Sequence, residues 1–378
     1  MAASSSPPSV PVIVVSILLA AVALAALVLY LRKPGAVGAA IAPARLPSPA
    51  PAPAAAPAVP VAKPAALLAQ LDALAWIRAE SLPEDRRQAI ASVFKHVPRP
   101  PRLLQQLISP EFVNNASLEE LAELIGSEPL VATRVLATAN SPMFGLATPV
   151  KGVQQAISTL GLITLRILCL QYLMIRSFKA DSPERQRLLT NVWDASALAS
   201  ELCQRVARGI GRPDPGRLVT LVVLSFLGQL ASQATMPRGL LAVIPVGSFL
   251  ERTRNEQATL GLGASEIGGL LMHGWALPAS LIDDVRRVDP CLVERAPALD
   301  LALCYVSARL GEKLASGQLA RLGDFDLARD ESADFHRIQS RLSRPDWAAM
   351  AAALRDPALG ETLDAMARAL REGATAAA

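Results

Sequence analysis

The side chains able to carry metal-assisted or acid–base chemistry are few in this chain. Its 378 residues contain three histidines, His96, His273 and His336. They are followed by Val97, Gly274 and Arg337, so there is no His-Asp doublet, the adjacent pair that helps fix a divalent ion to activate water or polarise phosphate. His96 stands at a helix end before prolines, where a charged imidazole suits the helix dipole. His273 lies beside Trp275 in what reads as a packed helix end. His336 follows the acidic run Asp324, Asp326, Asp330, Glu331 and Asp334, which lacks the glycine and terminal glutamate of a calcium loop and reads as a solvated face. Cysteines 169, 203, 291 and 304 sit in or beside apolar stretches without a C-x-x-C, as free buried thiols would in a reducing compartment. Gly261-x-Gly263 and Gly268-Gly269 do not complete a G-x-G-x-x-G and follow no predicted strand. Neither a G-x-S-x-G nor a P-loop is present.

The elements that would position these residues read as helices. The apolar fraction is 52%, much of it alanine, and aromatics reach only 4%. That composition favours helices packed through small residues over a sheet design, so the fold class is predicted to be all-α. The net charge is +4 with scattered arginines, and there is neither a basic stripe nor interleaved aromatics to bind nucleic acid.

Along the chain, residues 1–11 form a short N-terminus, followed by an uncharged apolar run over residues 12–31. At 1.5 Å per residue that run spans the roughly 30 Å hydrocarbon core of a bilayer. Arg32 and Lys33 follow at once, which places the C-terminal side in the cytoplasm of a single-pass inner-membrane protein. A cleaved signal peptide is the rival reading, weakened by the absence of a basic stretch ahead of the apolar run. Residues 32–65 are almost all Ala, Pro and Val, a polyproline-like spacer lacking the large apolar residues of a core. Residues 66–96 carry two juxtadomain helices, Ala65–Arg78 and Glu84–Lys95. Ser117 and Glu120 make a capping box for a helical run to Ala139. Asn140-Ser141-Pro142 ends that run, with asparagine suited to a left-handed cap. Thr148-Pro149 is expected to start the next helix, which stops at Gly161. Leu162–Phe178 and Leu218–Leu230 are apolar all round and should be buried.

One run of residues carries a resemblance. Ile125-x-x-Glu128-Pro129-Leu130, then Leu136, Asn140-Ser141, Phe144-Gly145 and Ala156-Ile157-x-x-Leu160-Gly161 resemble the HDOD domain, a helical relative of the HD phosphohydrolases found in bacterial signalling proteins. The resemblance extends over 97–314 and is dense in its first third, leaving 315–378 as a C-terminal helical extension. It implies a degenerate metal site. Ala195 stands where the first histidine would fall, Ser225 and Phe226 replace the His-Asp pair, Ala264 replaces a third histidine, and Arg287-Val288 stands where others have histidines. The implied role is a membrane-tethered signalling scaffold with no cofactor, binding a protein partner or a small ligand. Candidate interaction residues are Asn140, Ser141, Phe144 and Gly145 at the helical corner, and Trp193 and Trp275 at the junction of two helical lobes. The alternatives are a metal-dependent phosphohydrolase, which the missing ligands oppose, and a purely structural membrane tether.

Overall fold

Apolar residues at helical spacing, punctuated by proline, capping serine and glycine, produce sixteen α-helices among the described residues and no strand there. The structure, a computed structural model, describes residues 64–94, 97, 106–107, 109, 115–140, 148–235, 249–327, 329–330 and 332–376. The expected membrane span at 12–31, the spacer up to residue 63, His96, Ser141, Phe144 and Gly145 lie outside the described residues.

The first two helices are α1 (Pro64–Asp72) and α2 (Glu84–Phe94). A group of four follows: α3 (Leu118–Gly126), α4 (Pro129–Ala139), α5 (Val153–Leu160) and α6 (Leu162–Ser177). The capping box forms as read, Ser117 accepting from the Glu120 N–H while Glu120 accepts from the Ser117 N–H. The expected single run to Ala139 is broken at Ser127-Glu128, where Pro129 starts a new helix. Gly161, at φ 75°, turns the chain by 110° between α5 and α6. Helix α6 touches α4 and α5 on one side, and α7 (Pro183–Gly209) and α8 (Pro215–Ser225) on the other, joining the two halves.

The second half continues through α9 (Leu227–Thr235), α10 (Phe249–Leu260), α11 (Ala264–Gly274), α12 (Ala279–Val288) and α13 (Leu299–Ala315). Its axis is the long helix α7, buried over most of its length and packed along α13 and α8. Close approach there needs glycine, because a Cβ on Gly311 of α13 would lie 2.4 Å from the Ala195 carbonyl oxygen of α7. The closing helices α14 (Ala333–Arg341), α15 (Arg344–Leu354) and α16 (Pro357–Ala376) pack against α1, α7 and α13. Pro215–Thr235 is long and apolar enough to cross a membrane, but 78% of it is buried inside the protein, as in a core helix.

The expected helix Ala65–Arg78 is shorter than its pattern suggests. It ends at Asp72, and residues 73–78 run without helix to a single 3-10 turn at Ala79–Ser81. The backbone there is claimed by the main domain. The Ile77 N–H donates to Gln257 Oε1 at 3.0 Å, the Gln257 amide donates to the Ala75 carbonyl at 2.9 Å, and the Ala79 N–H donates to Glu266 Oε2 at 3.0 Å. Trp76 stacks on Phe249, Asp72 pairs with Arg337 at 2.7 Å, and Glu80 takes both terminal nitrogens of Arg286 at 2.7 Å. This strap fixes the start of the described chain across α10, α11, α12 and α14.

Candidate functional site

The four positions where the resemblance places metal ligands lie on helices that pack against one another. Ala195 is on α7, Ser225 and Phe226 are at the α8–α9 corner, and Ala264 begins α11. Phe226 is 1% exposed, and Ala195 and Ala264 are buried. Ser225 donates to the Val222 carbonyl of its own helix at 2.7 Å, a local bond that satisfies the hydroxyl without reaching a neighbour. Two residues after Phe226, Gly228 meets α11 so closely that a Cβ there would lie 1.6 Å from the Ala264 carbonyl oxygen. Gly268 of α11 completes this seam, since its own Cβ would lie 3.1 Å from the Gly228 nitrogen. Among the described residues no group of three or more His, Cys, Asp or Glu is placed to hold a metal ion. Arg287 pairs with Glu294 at 3.0 Å through two nitrogens, and Val288 is buried.

A cluster of buried charges adjoins Ala264. The Ala264 N–H donates to Glu256 Oε2 at 2.8 Å. Arg252, one turn earlier on α10, places Nη1 2.9 Å from Glu312 Oε1, and Arg309 of α13 places Nη1 2.7 Å from Glu312 Oε2. Asp289 lies 4.0 Å from Arg309, whose guanidinium also sits 5.1 Å over the Phe249 ring and 5.5 Å over that of Tyr305. The Gln229 amide fits between them with its nitrogen on Glu312 and its oxygen on Arg252. Burial pushes the Glu256 carboxyl up to about 7, against the opposing charge of Arg252 and the Ala264 N–H. Burial likewise raises Asp289. For Arg252 burial opposes the charge, but Glu312 and Glu256 outweigh it and hold its pKa above the ordinary value. With each guanidinium facing carboxylates, this is a structural ion network that locks α10, α13 and the Asp289 turn.

The candidate interaction residues separate. Trp193 is 9% exposed and Trp275 3%, so both are packing residues and neither offers a surface to a partner. Asn140 is a clip. Its Nδ2 donates to the Leu136 and Val150 carbonyls at 3.0 and 2.7 Å, and its Oδ1 accepts from the Val150 N–H at 2.6 Å. The expected left-handed cap is absent, since Asn140 has φ −88° and ψ 5°. With Val150 held by that clip, the next helix starts at Val153, not at Thr148-Pro149. His273 was expected in a packed helix end but is exposed on the last turn of α11, and His336 is exposed. The acidic run is less solvated than read. Asp326 pairs with Arg355, Asp330 with Lys313, and Asp334 accepts from the Tyr305 hydroxyl at 2.9 Å. All four cysteines are free and buried.

The ion network went unread in the sequence. Its signal is there in Arg252 and Glu256 four apart, and in Arg309 and Glu312 three apart inside the otherwise apolar run of α13.

The model of the HDOD domain matches residues 97–290, just over half of the chain. This chain belongs to the HDOD domain family. Among solved structures, an HDOD domain protein of unknown function from Geobacter sulfurreducens is similar, with 16% identity, a TM-score of 0.54, and coverage of 76% of this chain and 98% of that one. A candidate signal transduction protein from Marinobacter aquaeolei VT8 has 20% identity and a TM-score of 0.47, covering 76% of this chain and 65% of its own. A candidate phosphohydrolase from Shewanella amazonensis SB2B has 19% identity and a TM-score of 0.46, covering 70% and 98%. At 16% identity and a TM-score of 0.54, the likeness to the Geobacter sulfurreducens protein speaks for the fold alone. No curated protein matches.

Proposed function

We propose that this HDOD chain is a non-catalytic regulatory scaffold, tethered to the bacterial inner membrane through residues 12–31, that presents its helical domain to a protein partner in the cytoplasm. The observation that carries the reading is the filling of the remnant metal position. Phe226 and Ala264 put hydrocarbon where a His-Asp site would need imidazole and carboxylate, and the Gly228–Ala264 seam brings two backbones into contact beside it. A metal-dependent phosphohydrolase would need nitrogen or carboxylate ligands at these positions, and Ala195, Ser225, Phe226 and Ala264 supply none. The stretch assigned to the partner is Asn140 to Gly145, which includes Phe144.

Two measurements on the full-length protein test this. Metal analysis of the purified chain, with a phosphodiesterase assay in added Mn2+, should give sub-stoichiometric metal and no turnover; bound metal at one per chain with metal-dependent hydrolysis would overturn the non-catalytic reading. A crosslinked pulldown from membranes, run beside a folded Phe144→Asp variant, should recover a partner that the variant loses. Equal recovery by both would remove the corner from the interface.

A further inference from the structure

We propose that the groove crossed by residues 73–80 is a peptide-binding site, which the strap occupies in cis and which an extended segment of a partner protein takes by displacing it. The occupant it fits carries, in order, an aromatic residue, an aliphatic residue, a residue of any kind, a residue of alanine size and an acid. Trp76-Ile77-Arg78-Ala79-Glu80 is the copy the chain itself supplies.

The domain holds the strap as it would hold a separate peptide. Gln257 of α10 reads the backbone with both ends of its amide, accepting from the Ile77 N–H at 3.0 Å and donating to the Ala75 carbonyl at 2.9 Å. Glu266 of α11 accepts from the Ala79 N–H at 3.0 Å. These three bonds run from domain side chains to strap backbone, so they supply affinity with little demand on sequence. Specificity comes from the strap's own side chains. The Trp76 ring stacks on Phe249 with centroids 6.4 Å apart, Ala79 is buried, and the two Glu80 oxygens take both terminal nitrogens of Arg286 at 2.7 Å. Phe249, Gln257, Glu266 and Arg286 all lie within the matched residues 97–290, and the strap lies outside them. The groove is therefore part of the HDOD domain, and the strap is an addition laid into it.

The strap is also held loosely enough to exchange. Of residues 73–80 only Ala79 is buried, and Ala73, Ala75, Arg78 and Glu80 are exposed. Among the described residues no backbone–backbone hydrogen bond joins this stretch to the domain. The Trp76 indole nitrogen is buried without a hydrogen-bond partner, which weakens docking further. A segment with few buried contacts opens locally at low cost, and switching elements are drawn from such segments. Partner capture and strap release are then one exchange, with the strap setting the threshold for binding. This surface is separate from Asn140 to Gly145, and its test reads peptide binding directly, so either assignment can fail without the other.

The probe is a fluorescein-labelled synthetic peptide of residues 72–82, read by fluorescence anisotropy against full-length protein whose fold is checked by circular dichroism. The strap variant carries Trp76→Ala with Glu80→Ala, which disables the cis occupant and leaves the groove residues intact. It should bind the peptide saturably. The wild type should bind at least tenfold more weakly, because its own strap competes at an effective concentration on the order of mM. Adding Gln257→Ala to the strap variant should weaken binding tenfold or more, since two backbone hydrogen bonds are lost. A scrambled peptide of the same composition should bind at least tenfold more weakly than the native one. Should the strap variant not fold, the wild type decides: unlabelled peptide at about 5 mM should speed amide exchange at Ile77 and Ala79 and leave exchange in α7 unchanged. The proposal is overturned by absence of saturable binding to the folded strap variant, by equal affinity of wild type and strap variant, by equal binding of the scrambled peptide, or by no loss with Gln257→Ala. In the wild-type experiment, unchanged exchange at Ile77 and Ala79 overturns it.

Discussion

Replacing Gly228 by alanine tests whether the seam beside the proposed remnant site is closed by packing. A Cβ at this position would sit 1.6 Å from the Ala264 carbonyl oxygen, 2.5 Å from its carbonyl carbon and 2.8 Å from the Gly268 nitrogen, all backbone atoms. None of these can rotate away as the tip of a side chain could. Restoring a contact of about 3.5 Å requires α9 and α11 to part by nearly 2 Å, and a gap of half that already forfeits a quarter to a half of each dispersion contact. The seam is lined by Leu227, Leu230, Ile267 and Leu271, all buried. The gross penalty should therefore reach about 4 kcal/mol, beyond the usual overpacking range of about 1–3 kcal/mol. The better helix propensity of alanine returns about 1 kcal/mol. The net expectation is a loss of about 3 kcal/mol, measured as a lowered midpoint in urea unfolding followed by circular dichroism. Gly126→Ala, where a Cβ would meet nothing within 4 Å, is the control for helix propensity alone and should be as stable as the wild type or up to about 1 kcal/mol more so. A Gly228→Ala protein as stable as that control would mean the two helices part freely. The closed-site argument would then fail.

Three further outcomes are expected. Asn140→Ala removes two hydrogen bonds that join the end of α4 to Val150 and one to the Leu136 carbonyl of α4 itself, and should cost about 1–2 kcal/mol with faster amide exchange at Val150. Glu256 has a folded pKa of about 7 against an ordinary 4.5, so the folded chain keeps a proton that the unfolded chain releases. The stability this contributes is complete below about 4.5 and is lost as pH rises through about 7, and Glu256→Gln should flatten the fall in unfolding midpoint that the wild type shows between about pH 5 and pH 8. The four cysteines should resist a thiol reagent until the protein unfolds. All are buried, and burial pushes the Cys169 thiol up to about 12; rapid labelling of the native chain at neutral pH would contradict this packing.

Much of the architecture could be read from local chemistry. The Ser117–Glu120 capping box, the stop at Gly161 and the burial of the cysteines depend on local sequence, and each was legible. The types at positions 195, 225, 226 and 264 were likewise enough to show that nitrogen and carboxylate ligands are missing there. What failed was whatever depends on a partner distant in sequence. The helical pattern of 65–78 gave way to a strap because Gln257 and Glu266, some 180 residues on, take its backbone hydrogen bonds. Asn140 closes on Val150 in place of a left-handed cap, and Trp275, which the sequence offered as a surface, is spent on packing. The ion network of Arg252, Glu256, Arg309 and Glu312 exists only because α10 and α13 meet. Charges four or three apart on one helix read as solvated until another helix excludes the water around them. Sequence by itself therefore determined that the chain is helical and that no histidine in it is followed by aspartate. Tertiary contact decided which polar groups lost their water, and with that where the strap, the closed seam and the ion network would be.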